Sequence, residues 1–243
     1  MAKRRRLNLA TRLPCAAEPE WLDGPGHQRW EVAQSLGDLR WLNRWFGGTY
    51  LTVRALARLT ADLSSGSKLG IVDVATGGAD VPEAVAAWGQ RRRLTIEILG
   101  IDLSPVIADI AARGGRQRVR LAVADALRLP LGDRSRDVAT CSLAVHHFDP
   151  GEAVRLLREL GRVATRGVVV NDLIRGPVGF AGAWLLAQVL TRNRLTRHDG
   201  PLSVRRAYTL SELKDLAEEA GFREVTIAAH VGYRAALVLR CPA

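Results

Sequence analysis

The stretch LGIVDVATGGADVP, residues 69–82, constrains the fold more than any other part of this 243-residue chain. Its first half, Leu69 to Val74, is apolar and rich in β-branched residues, broken only by Asp73. Such a short run reads as a buried strand. The small residues Ala75-Thr76-Gly77-Gly78-Ala79 follow, and then a helical pattern over 82–91. A strand feeding a tight turn and then a helix is the unit of a parallel α/β sheet. Small residues let a ligand approach the backbone closely, and the helix start adds unpaired N–H donors. An ordinary βα turn and a dehydrogenase nucleotide loop are the competing readings. The second would need Gly-x-Gly-x-x-Gly, which this loop lacks.

The alternation continues downstream. Strands are predicted at 69–74, 94–101, 118–123, 137–143 and 167–172, with helices at 82–91, 104–113 and 151–163 between them. Thr209-x-x-Glu212 is a capping box opening a helix over 210–220, which Gly221 closes. Two last strands, 224–229 and 234–240, are separated by a turn around Val231–Tyr233. The expected fold is α/β: a doubly wound, mostly parallel seven-stranded sheet ending in an antiparallel hairpin. Residues 1–48 read as a basic and helical arm, and 49–243 as one domain with a lid insertion over 174–207.

Within the arm, residues 1–20 read as basic and poorly ordered, and 28–46 as helical. On a helical wheel Val32, Leu36, Leu39, Leu42 and Phe46 share one face, while Trp30, Trp41 and Trp45 lie on nearly the opposite one. One face is expected to meet the core, and the other a dimer partner or a substrate pocket. Gly37 could split this segment in two. A second helix is expected over 49–63. In the insertion, Val178–Leu190 is apolar but too short to span a bilayer. It reads as a buried lid helix, with an interfacial helix touching membrane or a lipophilic substrate as the alternative.

The net charge of +10 is spread along the chain, chiefly as arginine. Spread charge means a solvated surface first, and nucleic acid or an anionic membrane second. Cys15, Cys141 and Cys241 have no paired spacing, so neither a disulfide framework nor a zinc site is expected from them. The start MAKRRRLNLATRLP lacks the apolar core of a signal peptide, which makes the cytoplasm the default location.

Three further segments carry chemistry. Asp102 ends the second strand 25 residues beyond Gly77, where an acid can accept hydrogen bonds from ribose hydroxyls. Its bland alternative, an N-cap, is better filled by Ser104 before Pro105. AVADALRLP, residues 122–130, follows the third strand, and DVATCSLAVHHF, residues 137–148, forms and follows the fourth. A histidine there could act as a base near neutral pH. Metal binding by His146 and His147 is disfavoured, because neighbours in an extended chain point to opposite faces.

Together these segments resemble the class I S-adenosylmethionine (SAM) methyltransferases. Asp73 and Gly77 match that family's first motif, apolar-Asp-apolar-Gly-x-Gly-x-Gly, with Ala75 and Ala79 in place of its first and third glycines. The resemblance implies SAM as the cofactor, held around Asp73, Ala75, Thr76, Gly77, Gly78, Asp80, Asp102, Leu103, Asp125, Ala126 and Ser142. Asp125 and Ala126 take the adenine-contacting roles by that match, and the Ser-x-x-x-His-His block ending in His146 and His147 faces the methyl group. The nearest flavour resembles quinone and polyketide methyltransferases, with O- or C-methylation of a small apolar or aromatic acceptor. Trp41, Trp45, Asn171, His198 and Arg206 are the acceptor-side candidates, with His146 and His147 as catalytic ones. Rival readings are a nucleic-acid methyltransferase and a SAM-binding protein without catalysis. No metal is expected, peripheral membrane contact is an open alternative, and the assembly is expected to be a monomer or homodimer.

Overall fold

The computed structural model describes residues 9–115 and 118–241. The MAKRRR start expected to form a basic arm lies outside the described residues. Seven strands form one sheet: β1 (Lys68–Val74), β2 (Thr95–Asp102), β3 (Val119–Val123), β4 (Arg136–Ser142), β5 (Ala164–Leu173), β6 (Val225–His230) and β7 (Arg234–Arg240). Their order is β3-β2-β1-β4-β5-β7-β6. β1 to β5 pair in parallel, and β7 runs antiparallel between β5 and β6. The chain builds outward from β1 to β3 and then returns to β4 on the other side of β1. The loops at the carboxyl ends of β1 and β4 therefore diverge, and ligands of open α/β sheets bind in that crevice.

Both faces of the sheet are covered, which is why the central strands are apolar on both sides. Val72, Val74, Val168 and Val170 pack with Leu156, Leu157 and Leu160 of α5 (Pro150–Val163) and with Leu213 of α8 (Leu210–Glu219). Ile71, Val138 and Val169 turn the other way, against α2 (Gly48–Leu59) and α3 (Asp80–Arg91). The expected capping box forms, with the Glu212 N–H donating to Thr209 Oγ1 and the Thr209 N–H to Glu212 Oε2. At α4 (Pro105–Arg113), Ser104 Oγ accepts the Ile107 N–H, so Ser104 is the cap and Asp102 is not.

The arm departs from expectation. Residues 9–20 are tied down along their length. Arg12 donates to Asp149 Oδ1 at 2.6 Å and to the Phe148 carbonyl at 2.8 Å. The Leu13 N–H reaches the Arg205 carbonyl, and Arg206 holds the carbonyls of Cys15 and Glu18. A basic composition hid this order, since arginines that pair internally look like solvated ones in sequence. α1 (Arg29–Trp45) runs unbroken through Gly37. Its Val32 and Leu36 are buried, whereas Trp30 and Trp45 are both 65% exposed.

The insertion forms α6 (Pro177–Leu190) and α7 (Arg194–Arg206), pinched at its base by a bridge between Ile174 and Tyr208. α6 is not the buried helix expected from its composition, since only Gly179 and Ala187 are buried. One face lines a cavity, and the other leaves Trp184, Leu185 and Val189 exposed. Among the described residues, no helix is long and apolar enough to cross a membrane.

Candidate active site

The loop after β1 sets the floor of the site. Ala75, Gly77 and Ala79 all have φ near +54° (55°, 53° and 54°), in the left-handed region. Glycine reaches that region freely, while each alanine there costs about 1–2 kcal/mol. This explains the glycines of the matching pattern and marks the two alanines as strained. A Cβ on Gly77 would meet only Leu36 Cδ2, at 3.9 Å, so the loop has open space above it. Asp73 is sealed beneath the loop and accepts from Thr140 Oγ1 at 2.5 Å. Burial pushes its carboxyl up to about 7, against the pull of the Thr140 hydroxyl.

Asp102 stands at the switch point. Its Oδ2 accepts the Gly77 N–H at 2.9 Å and its Oδ1 the Ser104 N–H at 3.0 Å. Burial raises this carboxyl despite those bonds. Each oxygen keeps a second lone pair, which a ligand hydroxyl can use. Gly77, Asp102, Leu103, Asp125 and Ala126 line one end of a cavity of about 1330 Å³. A smaller recess beside it gathers Asp73, Thr76, Gly78, Asp80 and Ser142. The buried Ser142 Oγ has no hydrogen-bond partner there.

The far end of the large cavity is an apolar chamber. Trp41, Leu42 and Phe46 come from the α1 side, with Leu39 shared with the smaller recess, and Gly182, Leu186 and Leu190 come from α6. One wall is polar. Val145–His147 form a 3₁₀ turn after β4, not an extended segment, so the expected opposition of the two imidazoles does not hold. Their rings lie 4.4 Å apart at 40°. His146 Nδ1 sits 2.6 Å from Asp172 Oδ1, and His147 Nδ1 sits 2.8 Å from Asp23 Oδ2. Both Nε2 atoms face the carboxylate of buried Glu20, at 3.7 and 3.6 Å. Burial would strip His147 of charge, but Glu20 and Asp23 overrule it and push its imidazole up to about 9. Burial would likewise raise Asp172, yet His146 and backbone N–H groups hold it below the usual carboxylate range.

Other expected residues have different neighbours. Asn171 is buried and donates to the Gly48 carbonyl and to Thr52 Oγ1, fastening α2 to β5. His198 stacks on Trp21 with centroids 4.0 Å apart and pairs with Asp199. Arg206 holds the arm through the Cys15 and Glu18 carbonyls. Trp41 lines the chamber, but Trp45 points to solvent. Of the two faces read from the wheel, it is the one carrying Leu39, Leu42 and Phe46 that meets the chamber. Sequence reasoning passed over Glu20 and Asp23. No signal pointed to them, because their partners lie more than a hundred residues away.

Residues 71–167 match a family model described as Methyltransferase domain. A demethylmenaquinone methyltransferase of Deinococcus radiodurans is 36% identical over 100 residues, which are 40% of this chain and 39% of that protein. The chain thus aligns with about two fifths of the curated relative's length. Among solved structures, human N-acetylserotonin methyltransferase in complex with SAM has a TM-score of 0.64 at 16% identity, over 89% of this chain and 57% of that one. A SAM-dependent methyltransferase from Aquifex aeolicus has a TM-score of 0.57 at 14% identity, over 89% of this chain and all (100%) of that one. Magnesium protoporphyrin IX methyltransferase from Synechocystis PCC 6803 with bound SAM has a TM-score of 0.54 at 14% identity, over 92% of this chain and 89% of that one. These structural likenesses are likenesses of fold.

Proposed function

We propose that this chain, a class I SAM-dependent methyltransferase by its methyltransferase domain and its sheet, moves a methyl group from SAM to a small apolar or aromatic acceptor bearing a hydroxyl. The observation that carries this reading is the single cavity joining the Gly77–Asp102–Asp125 end to the apolar chamber. One ligand can occupy each end with their reacting atoms side by side, and positioning of that kind is the main source of rate in a transfer between two bound partners.

The chain fits the cofactor on its own features: open space above Gly77, free lone pairs on Asp102 and an unpartnered Ser142 hydroxyl. SAM would supply a methyl on a positively charged sulfur. Asp102 would hold the ribose hydroxyls, and Asp125 with the Ala126 N–H the adenine edge. Leu39, Trp41, Leu42, Phe46 and Leu186 would surround the acceptor and exclude water. His146, oriented through Nδ1 by Asp172, would meet the acceptor's polar end. His147, pushed up to about 9 by Glu20 and Asp23, holds its proton at neutral pH, the wrong state for accepting one. The Deinococcus relative is named for demethylmenaquinone, and the chamber here suits an acceptor of similarly apolar, ring-bearing chemistry.

Calorimetry with S-adenosylhomocysteine should give a one-site isotherm. Labelled SAM with a panel of quinols and phenols should then give a methylated product identified by mass. Absence of both heat and thermal stabilisation at saturating S-adenosylhomocysteine would overturn the reading.

A further inference from the structure

Three polar side chains from two distant parts of the chain converge on one wall of the acceptor chamber: Glu20 from the arm, and His146 and His147 from the turn after β4. We propose that they bind a divalent metal ion of the zinc type, with an open coordination position facing the acceptor.

The geometry argues for an ion between them. His146 Nε2 lies 3.7 Å from Glu20 Oε1, and His147 Nε2 lies 3.6 Å from Glu20 Oε2. Those separations exceed an N–H···O hydrogen bond, whose usual length is about 2.9 Å. They suit two ligands of one ion: zinc bonds of about 2.0–2.1 Å at tetrahedral angles put neighbouring ligand atoms about 3.4 Å apart. The three ligand atoms lie within 4.8 Å of one another, so a small inward movement would complete the set.

The surroundings argue the same way. Histidines that bind metals nearly always give their other ring nitrogen to a carboxylate, a backbone carbonyl or water, which fixes the ring and makes the ligating nitrogen more basic. Both histidines have that support, His146 from Asp172 at 2.6 Å and His147 from Asp23 at 2.8 Å. Glu20 is itself positioned by Ser203 Oγ at 2.9 Å and by Arg206 at 3.5 Å. Glu20, Asp23 and Asp172 bring three negative charges against two positive ones, Arg206 and the His147 imidazolium, and a divalent ion taking the place of the His147 proton would leave the group neutral. Two histidines and one carboxylate with an open position form the donor set of catalytic zinc sites. An ion there would hold the acceptor's hydroxyl oxygen within the cavity that Gly77 and Asp102 also line. The substrate class follows, resting on the methyltransferase reading: an apolar molecule with an ionisable oxygen that can ligate a metal.

The test uses the full chain, stripped with a chelator and then dialysed against excess Zn²⁺ or Co²⁺. Elemental analysis after gel filtration should find one ion per chain, and the Co²⁺ form should show the intense visible bands of a low-coordinate nitrogen and oxygen site. Glu20→Gln and His147→Gln should abolish stoichiometric binding. Asp23→Asn and Asp172→Asn should weaken it about 10–100-fold, the usual loss when a carboxylate behind a metal-bound histidine is removed. His147 and Asp23 are partly exposed, so their variants keep the test valid even where a change at buried His146 unfolds the protein. Less than a tenth of an ion on folded wild-type chain, or binding that all four substitutions leave unchanged, would overturn the proposal. S-adenosylhomocysteine calorimetry on the stripped protein separates the two ideas. Binding of S-adenosylhomocysteine without any metal binding sinks the metal site alone, whereas a metal bound with no S-adenosylhomocysteine isotherm upholds the site and sinks the methyltransferase reading.

Discussion

Asp102 occupies its place twice over. It braces the loop through the Gly77 and Ser104 N–H groups and keeps lone pairs facing the cofactor end of the cavity. Asp102→Ala should therefore weaken S-adenosylhomocysteine binding by about 1–3 kcal/mol, the range for hydrogen bonds to a charged group, and also lower the melting temperature. Asp102→Asn, which retains one acceptor oxygen, should fall between alanine and wild type in calorimetry. Asp73 gives a pH prediction. Its folded-state carboxyl, at about 7, lies above the ordinary 3.8, so the native state holds a proton that the unfolded state has released. Stability contributed by this group is present below about pH 4 and declines as pH rises towards 7, because the unfolded chain binds fewer protons there. Asp73→Asn should flatten that slope and make the protein relatively more stable at pH 8 than at pH 5, as measured by urea unfolding at the two pH values. An unaltered slope would show that other groups set it.

At the scale of elements, α1 and α6 each present two unlike faces. The leucine and phenylalanine face of α1 looks into the chamber, and most of its tryptophan surface is left to water. Trp41 is the exception, since it lines the chamber and packs on Phe46 at 5.6 Å between ring centroids. Trp41→Ala should lower kcat/KM for the acceptor about fivefold to tenfold, reflecting about 1 kcal/mol of apolar contact from a half-buried ring. Trp45→Ala should stay within about 0.5 kcal/mol of wild type in both stability and kcat/KM, as surface changes usually do. A matching loss at both positions would mean that the outer face also touches the acceptor. α1 also reaches the start of α3 just after the β1 loop, since Asn43 donates to Asp80 and accepts from Arg234. Removing the arm should thus weaken cofactor binding as well as acceptor turnover.

Across the whole molecule, the roof is assembled by polar ties between parts of the chain that no local pattern connects. The two carboxylate oxygens of Asp199 on α7 accept the Trp21 and Leu22 N–H groups at 2.8 and 2.9 Å. Asp199→Ala would leave both donors unsatisfied, at a cost of about 1–3 kcal/mol. Amide exchange at Trp21 and Leu22 should accelerate, and acceptor KM should rise more than the S-adenosylhomocysteine dissociation constant. Equal protection of those amides in the variant would mean that the arm is held by other bonds. Several arginines are held in ion pairs within the fold, and the net charge of +10 is the excess of basic over acidic residues that such pairs leave. Arg12 pairs with Asp149, Arg162 with Glu159 and Asp133, Arg175 with Glu212, and Arg166 with Asp62.

The sequence by itself determined the sheet. Strand and helix periods, the capping box at Thr209 and the small-residue turn at 75–79 are local signals, and each is fixed by backbone conformation within a few residues. It also placed Asp102 at a strand tip, because strand ends and caps can be read from neighbouring residues. Only the tertiary structure decided the polar wall of the chamber. Glu20, Asp23 and Asp172 come to His146 and His147 from an arm and a strand far along the chain, drawn in by α7 and by β5. Buried charges must find partners wherever the fold brings them, and that requirement acts through space with no spacing along the sequence to announce it. The direction faced by α1 was decided in the same way, because a helix with two apolar faces has its choice made by what packs against it.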